Sequence, residues 1–385
     1  MTDQGLNLRQ ASRANLPSGS QRGSAFVRRH RKSIVTALLV SGDLAAALDA
    51  GACTGSLARA VGLPTPEHLG VAVLLAVLAF FVTGLYNSPG PEPYQRFRQR
   101  ALGVGIVMAL WSIVTMANAS GGNIVHVIYV QTAYVACLLL IGHYVEVALR
   151  TLLTHFDLWD GSTVLVGPAS QDRDLARYSR QNWLLKRMLD VAFAVPLGLL
   201  ALPVVALGAM SIKLIDPGAA FFVQERVGYR GKLVKMHKLR TMYADSSRLL
   251  EEHLNGNPHA RAEWQQFFKL RNDPRILPIV GNFLRRSSID ELPQLWNVIR
   301  GDMSLVGPRP LPTYHIEQLD EDFRSVRASV LPGLTGLWQV SSRSDGDLQV
   351  LKEQDLSYIR NSSFWLDVYI MLQTLPAVLG AKGAR

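Results

Sequence analysis

Asp290 and Glu291 stand side by side in LRRSSIDELPQLWNVIRGDMSLVGPRP, Leu284 to Pro310, with Arg285 and Arg286 before them and Pro-Arg-Pro after them. Adjacent carboxylates can serve two ends. As a helix start, SIDE fits a capping box, with Ser288 capping the first turn and Glu291 reaching back. As a site of chemistry, one carboxylate can attack a phosphoryl group and form an acyl phosphate. Two together can hold a magnesium ion that neutralises a diphosphate. Pro293 bears on the choice, because it has no backbone donor. A helix capped at Ser288 would need that donor at Pro293, whereas one capped at Asp290 would not. We therefore expect Asp290 at the mouth of a helix and Glu291 on its first turn. Leu292, Leu295, Trp296 and Ile299 would anchor that helix in a core, and Gly301 would stop it.

The cations around the acids suit phosphate. HKLRT supplies Lys238 and Arg240, NDPR supplies Arg275, GPRP supplies Arg309 and VSSR supplies Arg343. A planar guanidinium makes paired contacts with phosphate oxygens, and a proline on each side of Arg309 restricts its backbone. No two-metal or zinc constellation is visible. Cys53 and Cys137, the only cysteines, lie in apolar stretches and supply neither a disulfide framework nor a Cys-based zinc site.

The elements that must position these residues follow from hydropathy and charge. The chain has 385 residues, 48% of them apolar, and a formal charge of +10. That balance points to membrane segments and to an anionic partner. Met1 to Lys32 is polar and ends in RRHRK, which reads as a disordered basic arm. Four apolar runs follow, about Ser33 to Leu57, Leu69 to Tyr86, Ala101 to Ala119 and Val125 to Leu149, each near the roughly 20 residues that cross a bilayer. Asp43 and Asp49 burden the first run unless they face other helices. If all four cross, RRHRK and the turn YQRFRQR, Tyr94 to Arg100, share one side, which the positive-inside rule makes cytoplasmic.

Thr151 to Asn182 reads as a linker with one strand-like piece, Ser162 to Pro168. Lys186 then opens KRMLDVAFAVPLGLLALPVVALGAMSIKLI, whose Pro196 and Pro203 oppose a straight helix. A fifth crossing would put the basic remainder outside, so we expect a broken, re-entrant helix on the cytoplasmic side. Beyond Asp216, FFVQERVGYRGKLVKMHKLRT reads as two strands joined through Gly228 to Gly231. The last apolar stretch, FWLDVYIMLQTLPAVLG, reads as an interfacial or core helix.

From Lys186 onward the chain resembles the bacterial sugar transferases that act as polyprenyl-phosphate phosphoglycosyl transferases. The resemblance rests on KRMLD, ERVGYRGKLVKMHKLRTM, NDPRI, the Leu284 to Pro310 stretch, PGLTGLWQV and DLSYIRNSSFWLDVYIMLQTLP, in that order. The upstream spans look like those of the large members, which initiate exopolysaccharide or O-antigen units. The segment that in those members carries a dinucleotide-fold-like domain is short here, with VLVGP as its vestige.

The resemblance implies that Asp290 attacks the phosphate of a UDP-sugar, UDP-glucose or UDP-galactose, and releases UMP. The phosphate of a polyprenyl lipid then takes up the phosphosugar. Glu291 would hold Mg2+ with Asp290 and prepare the lipid phosphate. Lys238, Arg285, Arg309 and Arg343 would contact substrate phosphates or nucleotide, and Asp355 falls at a further motif counted with them. The partners are then a UDP-sugar, polyprenyl phosphate and the lipid bilayer of the inner membrane, with a homo-oligomer kept open and no nucleic acid.

The expected architecture is a membrane α-helical N-terminal part of four spans, a re-entrant broken helix and a small α+β cytoplasmic catalytic domain. Its parts are 1–32, 33–150, 151–182 and 183–385. Two other readings compete. One is a membrane glycosyltransferase that moves only the sugar and releases UDP; the other is a scaffold without activity. Three Asp-x-Asp triplets, starting at Asp172, Asp320 and Asp345, are too short a pattern to favour the former.

Overall fold

Helix α1 runs from Gly19 to Ala60, α2 from Leu69 to Val82, α3 from Pro93 to Asn118 and α4 from Ile124 to His155. The computed structural model describes residues 19–62, 69–86, 93–118, 124–156, 183–267, 270, 272–341 and 348–379. The chain divides into two compact units, Met1–Thr163 and Val164–Arg385.

In the first unit α1 packs on α4 and α2, and α3 packs between α2 and α4. Small residues, Ala46, Ala47 and Ala50 on α1 and Ala72, Ala76 and Ala79 on α2, are buried. They let the backbones approach closely, as apolar solvent requires. Trp111 meets Tyr134 edge to face at 5.2 Å.

Asp43, a burden on its span by sequence, is buried among the other helices. It accepts from Tyr86 Oη at 2.9 Å and pairs with Arg100. Arg100 Nη2 also reaches Glu146 Oε2 at 2.8 Å, and Arg96 Nε lies 2.5 Å from Glu146 Oε1. This network joins α1, α3 and α4 and the turn after α2. Asp49 stays exposed.

Several expectations change in this unit. The arm expected to be disordered is helical from Gly19, because no proline follows Pro17 and the Arg- and Gln-containing stretch extends the apolar helix at low cost. Residues 1–18 lie outside the described residues. Two arginines of the expected basic turn, Arg96 and Arg100, are helical and buried in ion pairs. The second apolar run forms only a 14-residue helix, about 21 Å long, short of a bilayer core. The helix α4 continues to His155, into the expected linker; residues 157–182, including the strand-like piece, lie outside the described residues.

The first described element of the second unit is α5, Trp183–Ile215, a 33-residue helix. By length and composition, four helices among the described residues could cross a membrane: Ser33–Ala60, Pro93–Thr115, Val125–His155 and Trp183–Ile215. The helix α5 stays helical through Pro196 and Pro203, with no interruption at either. Each proline lacks the donor that would bond four residues back, which frees the Ala192 and Leu199 carbonyls.

Strands β1 (Phe221–Val227) and β2 (Leu233–Leu239) then pair antiparallel, as the sequence suggests, with Phe222 opposite Lys238 and Arg226 opposite Val234. Two exposed helices follow, α6 (Ser246–Gly256) and α7 (Pro258–Phe267), and then α8 (Val280–Arg286). A 3-10 segment, Ile289–Gln294, leads into α9 (Leu295–Arg300). A short parallel pair, β3 (Ser304–Val306) and β4 (Gly333–Thr335), encloses α10 (Thr313–Ile316) and α11 (Glu321–Ala328). The chain closes through α12 (Leu337–Ser341), α13 (Leu348–Asn361) and α14 (Phe364–Leu379). With Leu366 and Ile370 buried, α14 is a core helix.

Candidate active site

The acid pair sits one step away from its expected place. Ser288 adopts a left-handed conformation, φ 56°, and makes no side-chain cap, so the chain enters a 3-10 segment at Ile289 rather than an α-helix capped by Asp290. Pro293 falls inside that segment, before the α-helical ladder of α9 begins at Leu295. Leu295 is buried, but Trp296, expected as a core anchor, is 56% exposed. Gly301 ends α9 at φ 89°, as expected.

The two acids differ sharply in company. Glu291 Oε1 accepts from Lys238 Nζ at 2.7 Å and from Arg309 Nη2 at 2.7 Å, and Oε2 lies 3.5 Å from Arg309 Nη1. Burial opposes ionisation of Glu291, yet the Arg309 and Lys238 charges and their hydrogen bonds hold its carboxyl well below the usual carboxylate range. No hydrogen bond or ion pair holds Asp290 among the described residues. Burial, with the neighbouring Glu291 charge, pushes Asp290 up to about 6, although Lys238, Arg285 and Arg309 all pull it down. One acid is thus a fixed anion, and the other is poised near neutrality.

Each cation is placed by a different element. The strand β2 carries Lys238, and buried Asn297 ties that strand to α9. Its Nδ2 donates to Lys235 O at 2.8 Å, and its Oδ1 accepts from His237 N at 3.3 Å. Arg309 follows β3 across Gly307, where a Cβ would fall 2.5 Å from Leu331 O. Arg327 Nη2 donates to the Arg309 carbonyl, and Arg327 Nε pairs with Asp355 Oδ2 at 2.6 Å. Asp355, expected to touch substrate, is 3% exposed and reaches the acid pair only through Arg327 and the Arg309 backbone. Arg285 ends α8, close enough to act on the Asp290 charge. Arg240 pairs with Asp216 and Arg275 with Asp273. Arg343 lies outside the described residues.

Sequence reasoning missed Asn297, Arg327 and Asp190. Asp190 Oδ1 accepts from Ser304 Oγ and Leu305 N, both at 2.9 Å. Lys186 Nζ donates to Val306 O at 2.9 Å and pairs with Asp367 Oδ2 at 2.6 Å. The first turns of α5 therefore bond the strand that leads to Arg309. The signal was present in KRMLD, read only as the opening of a helix. A cavity of about 230 Å³, walled by Trp183, Lys186, Tyr229, Tyr358 and Phe364, contains none of the acid cluster.

No group of three or more His, Cys, Asp or Glu that could hold a metal occurs among the described residues. Asp290 and Glu291 make a two-carboxylate donor set, in which Glu291 Oε1 is already taken by two cations. That set fits Mg2+ when substrate phosphates bring further oxygens.

Helices long and apolar enough to cross a membrane, together with a small helix-and-sheet unit in which paired acids stand among cations, suggest a membrane protein. A family model described as bacterial sugar transferase matches residues 181–381, just over half of the chain, and the chain belongs to that family.

Over 213 residues it is 43% identical to the UDP-galactose-lipid carrier transferase of Erwinia amylovora, covering 55% of this chain and 43% of that one. Over 205 residues it is 42% identical to the undecaprenyl-phosphate galactose phosphotransferase of Salmonella typhimurium, covering 53% and 42%. The exopolysaccharide production protein ExoY of Sinorhizobium fredii is 42% identical over 200 residues, covering 52% of this chain and 87% of that one. The match spans less than half the length of the first two relatives and most of the third.

Proposed function

We propose that the protein transfers a sugar phosphate from a UDP-sugar to polyprenyl phosphate, at the cytoplasmic face of the bacterial inner membrane. The names of the relatives supply UDP-galactose, undecaprenyl phosphate and exopolysaccharide production; UDP-glucose as the other donor and O-antigen assembly as the other destination follow from the resemblance read in the sequence. The observation that carries the chemistry is the contrast within the acid pair. Among the described residues Asp290 has no hydrogen-bond or ion-pair partner and its carboxyl is pushed up to about 6, whereas Glu291 is clamped by Lys238 and Arg309.

In the first step an Asp290 oxygen attacks the phosphorus that bears the sugar. The bond from that phosphorus to the oxygen shared with UMP breaks, and UMP leaves. In the second step an oxygen of polyprenyl phosphate attacks the same phosphorus. The bond to Asp290 breaks, which restores the carboxylate and yields a polyprenyl diphosphate sugar. Lys238 and Arg309 keep Glu291 anionic and stand where phosphate charge must be met. Asp290 and Glu291 would hold Mg2+, which supplies charge neutralisation to the diphosphate.

The membrane arrangement has physical support. Near one end of α5, Arg187 donates to Val298 O at 2.5 Å and Ile299 O at 2.6 Å. Near the other end, Ile212 is buried with Leu239, Leu277 and Leu284. A straight helix of this length, about 50 Å, that crossed a bilayer could not rest both ends on one small domain. Between those ends Leu199, Leu200 and Leu202 are 61–73% exposed, which suits lipid. A re-entrant course bent at Pro196 and Pro203 satisfies both facts, with the basic domain on the cytoplasmic side.

The test is incubation with UDP-galactose or UDP-glucose and polyprenyl phosphate, with nucleotide analysis and peptide mass spectrometry. UMP release and a phosphosugar on Asp290 are expected. Release of UDP, or an adduct on another residue, overturns the mechanism.

A further inference from the structure

We infer that Arg226 is a substrate-binding residue, a second cationic arm that takes a phosphate group beside the acid pair; the inference rests on the phosphotransferase reading above. In the β1–β2 register Phe222 faces Lys238, Gln224 faces Met236 and Arg226 faces Val234. Side chains two apart share a face of a sheet, so Arg226 and Lys238 project from the same face. Lys238 on that face already reaches Glu291. The end of β1 is held to the Arg309 segment, since Val227 N donates to Leu311 O at 3.1 Å. That face of the strand pair therefore presents one cation at each of its ends, with Arg309 entering from the adjoining segment.

Arg226, like Arg285, has no carboxylate partner among the described residues, and what distinguishes it is a buried guanidinium nitrogen left unsatisfied. Lys238 and Arg309 both pair with Glu291, and Arg327 pairs with Asp355. Among the described residues Arg226 meets no carboxylate within 4 Å. Its Nη2 donates to the neutral Gln224 Oε1 at 2.7 Å, and its Nε is buried without a partner. Burial first, and then the like charge of Arg309, push its guanidinium below its usual value.

A half-buried cation held beside another cation is costly, and an arriving anion relieves that cost. Phosphate oxygens match an unpaired guanidinium edge in geometry as well as charge. Two groups of the proposed reaction carry this chemistry, the nucleotide diphosphate of the donor and the phosphate of the lipid acceptor.

The test uses the full chain in lipid nanodiscs, with UDP-galactose and polyprenyl phosphate varied in turn for wild type, Arg226→Ala and Arg226→Lys. A rise in one KM of about tenfold or more is expected for Arg226→Ala, partly recovered by Arg226→Lys. A rise confined to UDP-galactose assigns the arm to the donor, and one confined to the lipid assigns it to the acceptor. If Arg226→Ala fails to fold, Arg226→Gln replaces it. A second readout needs no turnover: calorimetric binding of UDP-galactose in an Asp290→Asn background, which weakens by a similar factor in the donor case. An active wild type whose two KM values ignore both Arg226 substitutions overturns this inference alone. A wild type that transfers no sugar phosphate overturns the reading beneath it, and the inference with it.

Discussion

Glu291 Oε1 lies 2.7 Å from Arg309 Nη2, and the same oxygen takes Lys238 Nζ at 2.7 Å. Two cations on one carboxylate give adjacent acids different work. Glu291 is held in an ion pair by two cations, and on the proposed mechanism Asp290 is the acid left to react.

Asp290→Asn should lose the covalent phosphosugar and at least about a thousandfold in kcat, since an amide cannot replace the nucleophile. Glu291→Gln should retain some adduct while losing rate, because the attacking group survives and its surroundings do not. Single-turnover UMP release distinguishes the two.

The rate should depend on pH through Asp290. Its carboxyl titrates at about 6, so it is protonated and unreactive below that value and ionised above it. kcat/KM should therefore rise with pH and level off above about 7. Arg285 pulls this carboxyl down, so Arg285→Ala should move the inflection to higher pH.

The raised value also has a stability consequence. Asp290 is lifted in the folded protein from 3.8 to about 6. Its contribution is fully present below the unfolded value and is lost as pH rises through about 6. Near pH 7 the ionised side chain thus opposes folding by up to about 3 kcal/mol. Asp290→Asn should raise the melting temperature at pH 7 by about 5 °C, and the gain should vanish near pH 4. Thermal melts at the two pH values check it.

Arg327→Ala should cost about 3–5 kcal/mol, because it strands the buried Asp355 carboxylate and frees the Arg309 carbonyl. If Asp355 acts by positioning Arg309, Asp355→Asn should lower kcat and leave the KM for UDP-sugar nearly unchanged. A rise in KM with kcat intact would instead make Asp355 a substrate contact.

In the membrane unit, Arg100 answers both Asp43 and Glu146. Arg100→Leu should therefore cost about 3–5 kcal/mol, more than a substitution at exposed Arg98, through two buried acids left short of charge. Detergent melts of the two variants make the comparison.

Much of this was legible along the chain. Apolar runs located three of the four helices long and apolar enough to cross a membrane, the second run forming a shorter helix, and the strand pattern around the Gly228 to Gly231 turn located the hairpin. Residue types drew attention to Asp290, Glu291 and seven cations, and the resemblance singled out Lys238, Arg285, Arg309 and Arg343 among those cations. The helix start was misread because Pro293 was weighed against α-helix geometry, whereas the chain uses a 3-10 segment entered through a left-handed Ser288. Trp296 shows the same limit: helical spacing proposes a face, but only the packed neighbours decide whether that face is covered.

By itself the sequence determined composition-driven properties: helices long and apolar enough to cross a membrane, a C-terminal stretch rich in basic residues and a stock of acids and cations suited to phosphate. These depend on transfer free energy and residue chemistry, which each stretch carries locally. Only the tertiary structure decided which cation meets which acid. Lys238 and Arg309 converge on Glu291 from segments far apart in the chain, Asp355 turns inward to Arg327, and Arg226 meets no carboxylate among the described residues. Such pairings depend on distances of a few ångströms between remote segments, and Coulomb and hydrogen-bond energies change steeply over that range.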